Sequence, residues 1–336
     1  MFSKEELEKI FVGFNGLKVL IIGDVMIDSY IWGHVKRLSP EAPVPIVNVV
    51  KRENRLGGAA NVAINIQSLG AVPIICSVIG DDEKGDTFCK IIAEKNMPSH
   101  GIIKSKERLT TVKFRVIGNN SHLLRVDEET ESVLTDNETA LLFFQIKKII
   151  NTEKIDVIIF EDYDKGVISK TLIDSTIEVA KKNNVPVVVD PKKNNFSHYT
   201  QIQLFKPNFR ELCDGLKADL NLSEVESFTS ALTDFQKKQN IATVLLSLSE
   251  HGVLISEMLG NKFNIIKIPA HLRTIADVSG AGDTLISVAA LCIALKLSAG
   301  KTAALSNLAG GVVCEHVGVI PIDKEKFFNE AVKLLL

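Results

Sequence analysis

The sequence predicts an α/β fold built on a mostly parallel sheet, and three observations lead there. Short runs rich in β-branched residues are apolar throughout: KVLIIG (18–23), IICSVIG (74–80), DVIIFE (156–161), PVVVD (186–190) and TVLLS (243–247). Strands without polar alternation belong to sheets covered on both faces. Between them lie longer segments with helical apolar spacing, at 138–150, 170–183 and 226–239. Two stretches, 29–50 and 111–126, instead alternate apolar with polar residues, and the second holds a Gly-Asn-Asn turn. They predict a small antiparallel sheet projecting as a lid. No repeat, low-complexity tract or Pro/Ser-rich linker divides the chain, so one domain over 1–336 is the economical arrangement.

Along the chain, MFSKEELEKI reads as a first helix with Ser3 and Glu6 placed as a capping box, not as a signal peptide. LGGAANVAINIQSLGA (56–71) sets Gly57 and Gly58 before an apolar helix that carries Asn61 in its first turn. Adjacent glycines there mean that something approaches the backbone closely. KPNFREL (206–212) opens a further helix, with Asn208 and Glu211 one turn apart. An amide and a carboxylate so spaced could hold Mg²⁺ through water, or simply form a capping box. DVSGAGDTLISVAALCIAL (277–295) carries the strongest chemical signal. Gly280, Ala281 and Gly282 lead into a long apolar helix with Asp283 in its first turn. Small residues let successive N–H groups converge on one point, and the helix N-terminus adds positive potential. That is an anion hole suited to a transferring phosphoryl group, beside a carboxylate able to take a proton from an attacking hydroxyl. A plain capping loop with an N-terminal acid has the same local appearance.

Composition removes several classes. A net charge of −2, without runs of basic residues, makes no electrostatic case for nucleic acid or a membrane surface. No apolar run reaches the ~20 residues needed to span a bilayer, so the expectation is a cytoplasmic protein. Five scattered cysteines (Cys76, Cys89, Cys213, Cys292, Cys314) lack C-x-x-C spacing and read as buried reduced thiols. The seven histidines form no H-E-x-x-H pair. Two nucleotide motifs fail as well. Leu295 stands where a Walker loop ending in GKT (300–302) needs glycine, and GAGDTL lacks the third glycine of G-x-G-x-x-G.

LGGAANVA together with DVSGAGDT resembles the two signature regions of the ribokinase-like (PfkB) carbohydrate kinases, over essentially the whole length. GDVMIDSYIWGHVKRLSPEAPVPIVNV, EDYDKGVIS and VDPKKNNFSHY resemble the kinase domain of the bacterial heptose-7-phosphate kinases. The resemblance implies a three-layer sandwich with a β lid, and ATP and Mg²⁺ as cosubstrate and cofactor; a homodimer through the lid is expected because an apolar projecting sheet is an edge that wants covering. It implies Asp283 as general base, with the N–H groups of Gly280, Ala281 and Gly282 stabilising the γ-phosphoryl group. Asn208 and Glu211 fall on magnesium-linked positions. Asp277 matches a position associated in some relatives with a monovalent cation such as K⁺. Asp28, Gly57, Gly58 and Asn61 fall on sugar-binding positions, the glycines letting hydroxyls reach the backbone. Ser247, Gly252 and Ser279 fall on the nucleotide side, and 307–322 completes the adenine pocket.

The departures are Ser279 for threonine, Arg210 within NFRE, and Glu161 where serine is usual. A sugar already bearing phosphate needs cations at its far end. Lys165, Lys192, Arg115 and Arg125 are the candidates, although a single such charge is more often a solvated surface group. Trp32 in the lid could pack on a sugar face or enter a dimer contact, and the dimer is favoured. The expected reaction is phosphorylation of the anomeric hydroxyl of D-glycero-β-D-manno-heptose 7-phosphate, giving the 1,7-bisphosphate for ADP-heptose and lipopolysaccharide precursors. No H-x-G-H motif is present, so adenylyl transfer is expected of another protein. The rivals are another PfkB-family kinase acting on ribose, fructose or a different phosphosugar, and a non-catalytic sugar-binding regulator on the same fold. A nucleotide-binding oxidoreductase lacks its fingerprint.

Overall fold

A computed structural model describes residues 2–119 and 121–336. In chain order the elements are α1 (Lys4–Gly13), β1 (Lys18–Gly23), β2 (Val25–Leu38), β3 (Pro45–Gly58), α2 (Ala59–Ser68), β4 (Val72–Gly80), α3 (Glu83–Glu94) and β5 (Ile102–Ser105). Then come β6 (Val112–Gly118), β7 (Ser121–Glu128), α4 (Asp136–Thr152), β8 (Val157–Glu161), α5 (Lys170–Lys182), β9 (Val187–Asp190), β10 (Leu204–Phe205) and α6 (Phe209–Leu216). The chain closes with α7 (Val225–Gln239), β11 (Thr243–Ser247), β12 (Val253–Leu259), β13 (Lys262–Ile268), α8 (Ala281–Ala294), α9 (Ala299–Val313) and α10 (Lys324–Leu335).

Nine strands form the main sheet in the order β13-β12-β11-β10-β9-β8-β1-β4-β5. It is parallel from β11 to β5, and β12 and β13 are antiparallel additions at one edge. β1 lies between β4 and β8, with Leu20 opposite Ile74 on one side and Ile158 on the other. The unbroken apolar run of β1 now has its explanation. Val19 and Ile21 enter one core, shared with α2, α8 and α9, while Leu20 and Ile22 enter the other, shared with α4, α5 and α7. Each such side chain contributes roughly 1.5–3 kcal/mol when fully buried, so a polar residue at either parity would cost the fold. The result is three layers, as predicted. The strand order reverses direction at β1, and in such sheets the ligand crevice lies beyond the carboxyl ends of the strands there.

The second sheet has four strands in the order β3-β2-β6-β7. Its outer pairs are antiparallel, but the central β2–β6 pair is parallel, with Tyr30 opposite Arg115. A parallel centre arises because the chain crosses α2, β4 and α3 before it returns. The strands also outrun the predicted segments, with β2 beginning at Val25 and β3 ending only at Gly58. Of the expected Gly-Asn-Asn turn, Asn120 lies outside the described residues.

Two smaller expectations are corrected. Ser3 caps α1 through Glu6 N at 3.1 Å, but the Glu6 carboxylate pairs with Lys301 instead of closing the box. Of the cysteines, Cys76, Cys292 and Cys314 are buried, whereas Cys89 and Cys213 are only partly so. Among the described residues no helix is long and apolar enough to cross a membrane.

Candidate active site

The crevice beyond β8, β9, β10 and β11 holds a cavity of about 660 Å³, and Asp283 stands in its wall. Gly280 caps α8 in the left-handed region (φ 80°, ψ 0°) without any side-chain cap bond. The first turn of a 14-residue helix therefore opens on the cavity, which Ala281, Gly282 and Asp283 line. One detail departs from the predicted hole: Ala281 N donates back to the Val278 carbonyl at 3.3 Å. A Cβ at Gly282 would lie 3.4 Å from Lys206 Nζ and 4.0 Å from Asp190 Oδ2, so the bare backbone faces a buried ion pair.

Asp283 is 7% exposed and both of its oxygens are engaged. Asn61 Nδ2 donates to Oδ2 at 2.6 Å, and the Tyr163 hydroxyl donates to Oδ1 at 2.9 Å. Helix α2 packs on α8 so that Asn61 meets Asp283, and one turn later Asn65 accepts from Thr284 Oγ1 at 3.2 Å. LGGAANVA and DVSGAGDT thus meet side by side as two helix starts.

The twin glycines have close neighbours within the chain itself. A Cβ at Gly57 would lie 2.6 Å from Asp28 Oδ2, and one at Gly58 would lie 2.4 Å from the Asp24 carbonyl oxygen. Gly58 also sits at φ +59°. Strand β2 and Asp24, the residue between β1 and β2, thus come close enough by themselves to require both glycines. Asp28 is buried and paired with Arg115. Burial raises its pKa, the Arg115 charge opposes, and the Asp283 charge adds to the rise.

On the nucleotide side, Asn208 and Glu211 form the capping box of α6, with Glu211 N to Asn208 Oδ1 and Asn208 N to Glu211 Oε2 both 2.8 Å. Both residues line the cavity, together with Ser247 and Gly252. Lys192 lies here as well, paired with Glu211. Burial works against its charge, yet Asp190 and Glu211 hold its pKa above the ordinary lysine value. Lys192 thus stands among the carboxylates of the cavity. Lys165 is occupied by Glu129 and Glu131 at 2.7 and 2.8 Å, and Arg125 is an exposed partner of Asp127 at 3.0 Å. Arg115 is the predicted cation that stands beside Asp28, and Arg125 is its cross-strand neighbour. Ser279 N donates to Asp277 Oδ1 at 2.9 Å and Gly318 N to Oδ2 at 2.8 Å, so Asp277 ties the loop before α8 to the chain after α9. Arg210 is solvent-exposed and faces Asp214, away from the cavity.

Several residues were missed from sequence. Lys206 and Asp190 pair at 2.6 Å with side chains only 4% and 5% exposed. Burial opposes the charge on Lys206, and Asp190 and Glu211 outweigh it. Asp24 is buried and accepts from the backbone N–H groups of Tyr163, Lys165 and Val167. Glu161 is buried, and its pKa is raised well above the carboxylate range, by burial first and then by Asp190 and Asp283. In the lid, Arg55 bonds Glu53 at 2.9 and 3.2 Å and lies 4.8 Å over the Tyr30 ring. Trp32 stacks on that ring at 5.8 Å. The available signal was position: Asp24, Tyr163, Asp190 and Lys206 all fall at or just past the carboxyl end of a strand.

Carboxylates outnumber lysines in this crevice, since Asp190, Glu211 and Asp283 face Lys192 and Lys206. A polyphosphate would add further negative charge, so the donor set suits a divalent cation brought with it. Asp190 Oδ1 is buried without a hydrogen-bond partner, which is a ready acceptor for such an ion or its water. Among the described residues no three acidic, histidine or cysteine side chains converge as a metal cage. A metal would thus be held jointly with its ligand.

Comparison with known proteins fits this geometry. A family model described as pfkB family carbohydrate kinase matches residues 17–326. The bifunctional protein HldE of Syntrophotalea carbinolica is 32% identical over 324 residues, covering 96% of this chain and 65% of the relative. That of Helicobacter pylori (strain J99) is 37% identical over 302 residues, covering 90% and 63%. The chain thus spans a little under two thirds of the length of these relatives. Among solved structures, phosphofructokinase-2 from Escherichia coli in complex with fructose-6-phosphate superposes with a TM-score of 0.75. It is 19% identical, with 94% of this chain and 99% of that chain covered. The fold is that of the ribokinase-like kinases.

Proposed function

The chain belongs to the pfkB family of carbohydrate kinases, enzymes that transfer phosphate to a sugar hydroxyl, and from that premise we propose that it phosphorylates the anomeric hydroxyl of D-glycero-β-D-manno-heptose 7-phosphate with MgATP. The observation that carries the reading is Asp283: a buried carboxylate in the first turn of an uncapped helix, on the wall of a nucleotide-sized cavity. In this reading Asp283 takes the proton of the acceptor hydroxyl while the α8 N-terminus, at Gly280, Ala281 and Gly282, stabilises charge on the transferring group. Lys206 and Lys192 bind phosphate oxygens. Asn208, Glu211 and Asp190 would hold Mg²⁺ with those oxygens, where the ion neutralises phosphate charge. Ser247, Gly252 and Ser279 border the nucleotide, and Asp277 organises the adjoining loop, with or without a monovalent cation.

The acceptor side comprises Asp28, Asn61 and the lid cations Arg115 and Arg55. The heptose assignment is supported by the relatives named above and by Arg115 standing beside Asp28 at the foot of the lid. Exposed apolar residues on the lid, among them Val50 at 68% and Leu124 at 59%, support a homodimer through that sheet.

An ADP-coupled assay across heptose 7-phosphate, fructose 6-phosphate, ribose and fructose tests the substrate. Faster turnover of free ribose or hexose than of heptose 7-phosphate would sink the heptose assignment. Asp283→Asn should lose ADP production by 10²-fold or more while ligands still raise the melting temperature. Full activity in that variant would remove Asp283 from the base role.

A further inference from the structure

We infer that Tyr163 is a positioning residue for phosphoryl transfer, fixing the Asp283 carboxylate through its hydroxyl. The inference rests on the reading of Asp283 as the base. The two oxygens of Asp283 receive one donor each, Asn61 Nδ2 at 2.6 Å and the Tyr163 hydroxyl at 2.9 Å. Donors on both oxygens fix the plane of the carboxylate and leave the remaining lone pairs for an incoming hydroxyl. A carboxylate with one free oxygen would rotate about its last bond, and general-base catalysis is sensitive to displacements of that size.

The phenol is itself held from two directions. Its backbone N–H donates to Asp24 Oδ2 at 2.9 Å, and Lys165 N and Val167 N bind the same carboxylate at 3.2 and 3.0 Å. Asp24 is 2% exposed and lies just past β1, so the loop after β8 is staked to the centre of the sheet. From the cavity side, the Lys192 ammonium lies 5.5 Å from the ring centroid, within cation–π reach.

The groups around the phenol decide what it can do. Glu161 from β8, Asp190 from β9, Asp283 from α8 and Lys192 after β9 surround it. Burial first, and then the carboxylates of Asp283, Glu161 and Asp190, push its pKa well up. The hydroxyl therefore acts as a donor. It does not supply a negative charge, and it is not a second base. Packing and the cation–π contact would be met equally by phenylalanine, so the hydroxyl is there for Asp283.

The test compares Tyr163→Phe with wild type and Asp283→Asn, using steady-state kinetics with MgATP and the best acceptor of the substrate panel. Tyr163→Phe should lower kcat by about 10- to 100-fold, the range expected for one lost hydrogen bond to a charged group. KM for both substrates should stay within about twofold, and ligand-induced stabilisation should be unchanged. Wild-type kcat in Tyr163→Phe beside an inactive Asp283→Asn overturns the positioning role and leaves the base assignment standing. A raised KM at unchanged kcat overturns it too, making Tyr163 a binding residue. Activity in Asp283→Asn overturns the base assignment, and the inference with it. If Tyr163→Phe does not fold, Asp24→Asn serves instead, since it loosens the loop but keeps the phenol. A kcat-specific loss there supports the role, and unchanged kinetics refute it.

Discussion

Gly58 offers a direct measurement of why two bare residues stand at the start of α2. Substituting alanine there meets two costs. The backbone at φ 59° and ψ −136° is disfavoured for any residue with a Cβ, at about 1–3 kcal/mol. The added Cβ would also sit 2.4 Å from the Asp24 carbonyl oxygen. That oxygen cannot swing away freely, because it accepts the Ala59 N–H at 3.0 Å. Relieving the clash resembles overpacking a core, at about a further 1–3 kcal/mol. Gly16 is the control: φ +77°, with nothing within 4 Å of its would-be Cβ, so alanine there meets only the conformational cost of about 1–2 kcal/mol. A 336-residue chain unfolds with an entropy of about 0.7 kcal/mol/K, so each kcal/mol moves the melting temperature by about 1.4 °C. Gly16→Ala should therefore lower it by about 1.5–3 °C and Gly58→Ala by about 3–8 °C, read by calorimetry under one buffer and scan rate. Equal shifts for the two variants would refute the close-approach argument. A further distinction follows from the site: Gly58→Ala should also depress kcat by displacing Asn61, and Gly16→Ala should not.

Lys206→Met should destabilise by about 3–5 kcal/mol because it strands the Asp190 carboxylate in the interior. Adding Asp190→Asn should recover most of that loss in denaturant midpoints, and no recovery would mean the pair is not the cause. Asp162 is pushed up to about 7 from the ordinary aspartate value of 3.8, by burial first and then by Asp24. A carboxyl that holds its proton in the folded state gives stability that is fully present below pH ~4 and is lost as pH rises to ~7. Comparing wild type with Asp162→Asn across that range should show the wild type losing ground as pH rises, then running parallel above pH ~7. An invariant difference would contradict the assignment. Val50→Glu, on the exposed lid face, should convert a dimer to a monomer in sedimentation velocity, and an unchanged oligomer would place the contact elsewhere.

What could be read from sequence was whatever depends on local periodicity or on glycine. The strands of the parallel core, the helices that separate them and the GAGD turn at the start of α8 were legible, because burial on both faces and a left-handed cap leave marks on neighbouring residues. The capping box of Asn208 and Glu211 was legible for the same reason. The edges of the lid were not. Strand β3 runs on to Gly58 because β2 pairs with it throughout, and pairing carries no signature in a single strand's sequence. The charged partners were the hardest. Lys165 and Lys192 looked equivalent as loop lysines near a sugar, yet one is taken up by Glu129 and Glu131 and the other by Glu211.

The sequence by itself determined the layered α/β architecture and the turn that presents Asp283, since these follow from burial patterns and backbone freedom over a few residues, while the family came from the resemblance of its two signature stretches. Only the tertiary structure decided which side chains meet Asp283. Asn61 lies 222 residues away and Tyr163 lies 120 away, and no local rule couples positions so distant. Their meeting is set by how α2 and the loop after β8 converge on one end of the sheet. The energy of a buried carboxylate depends on those partners and not on its place in the chain.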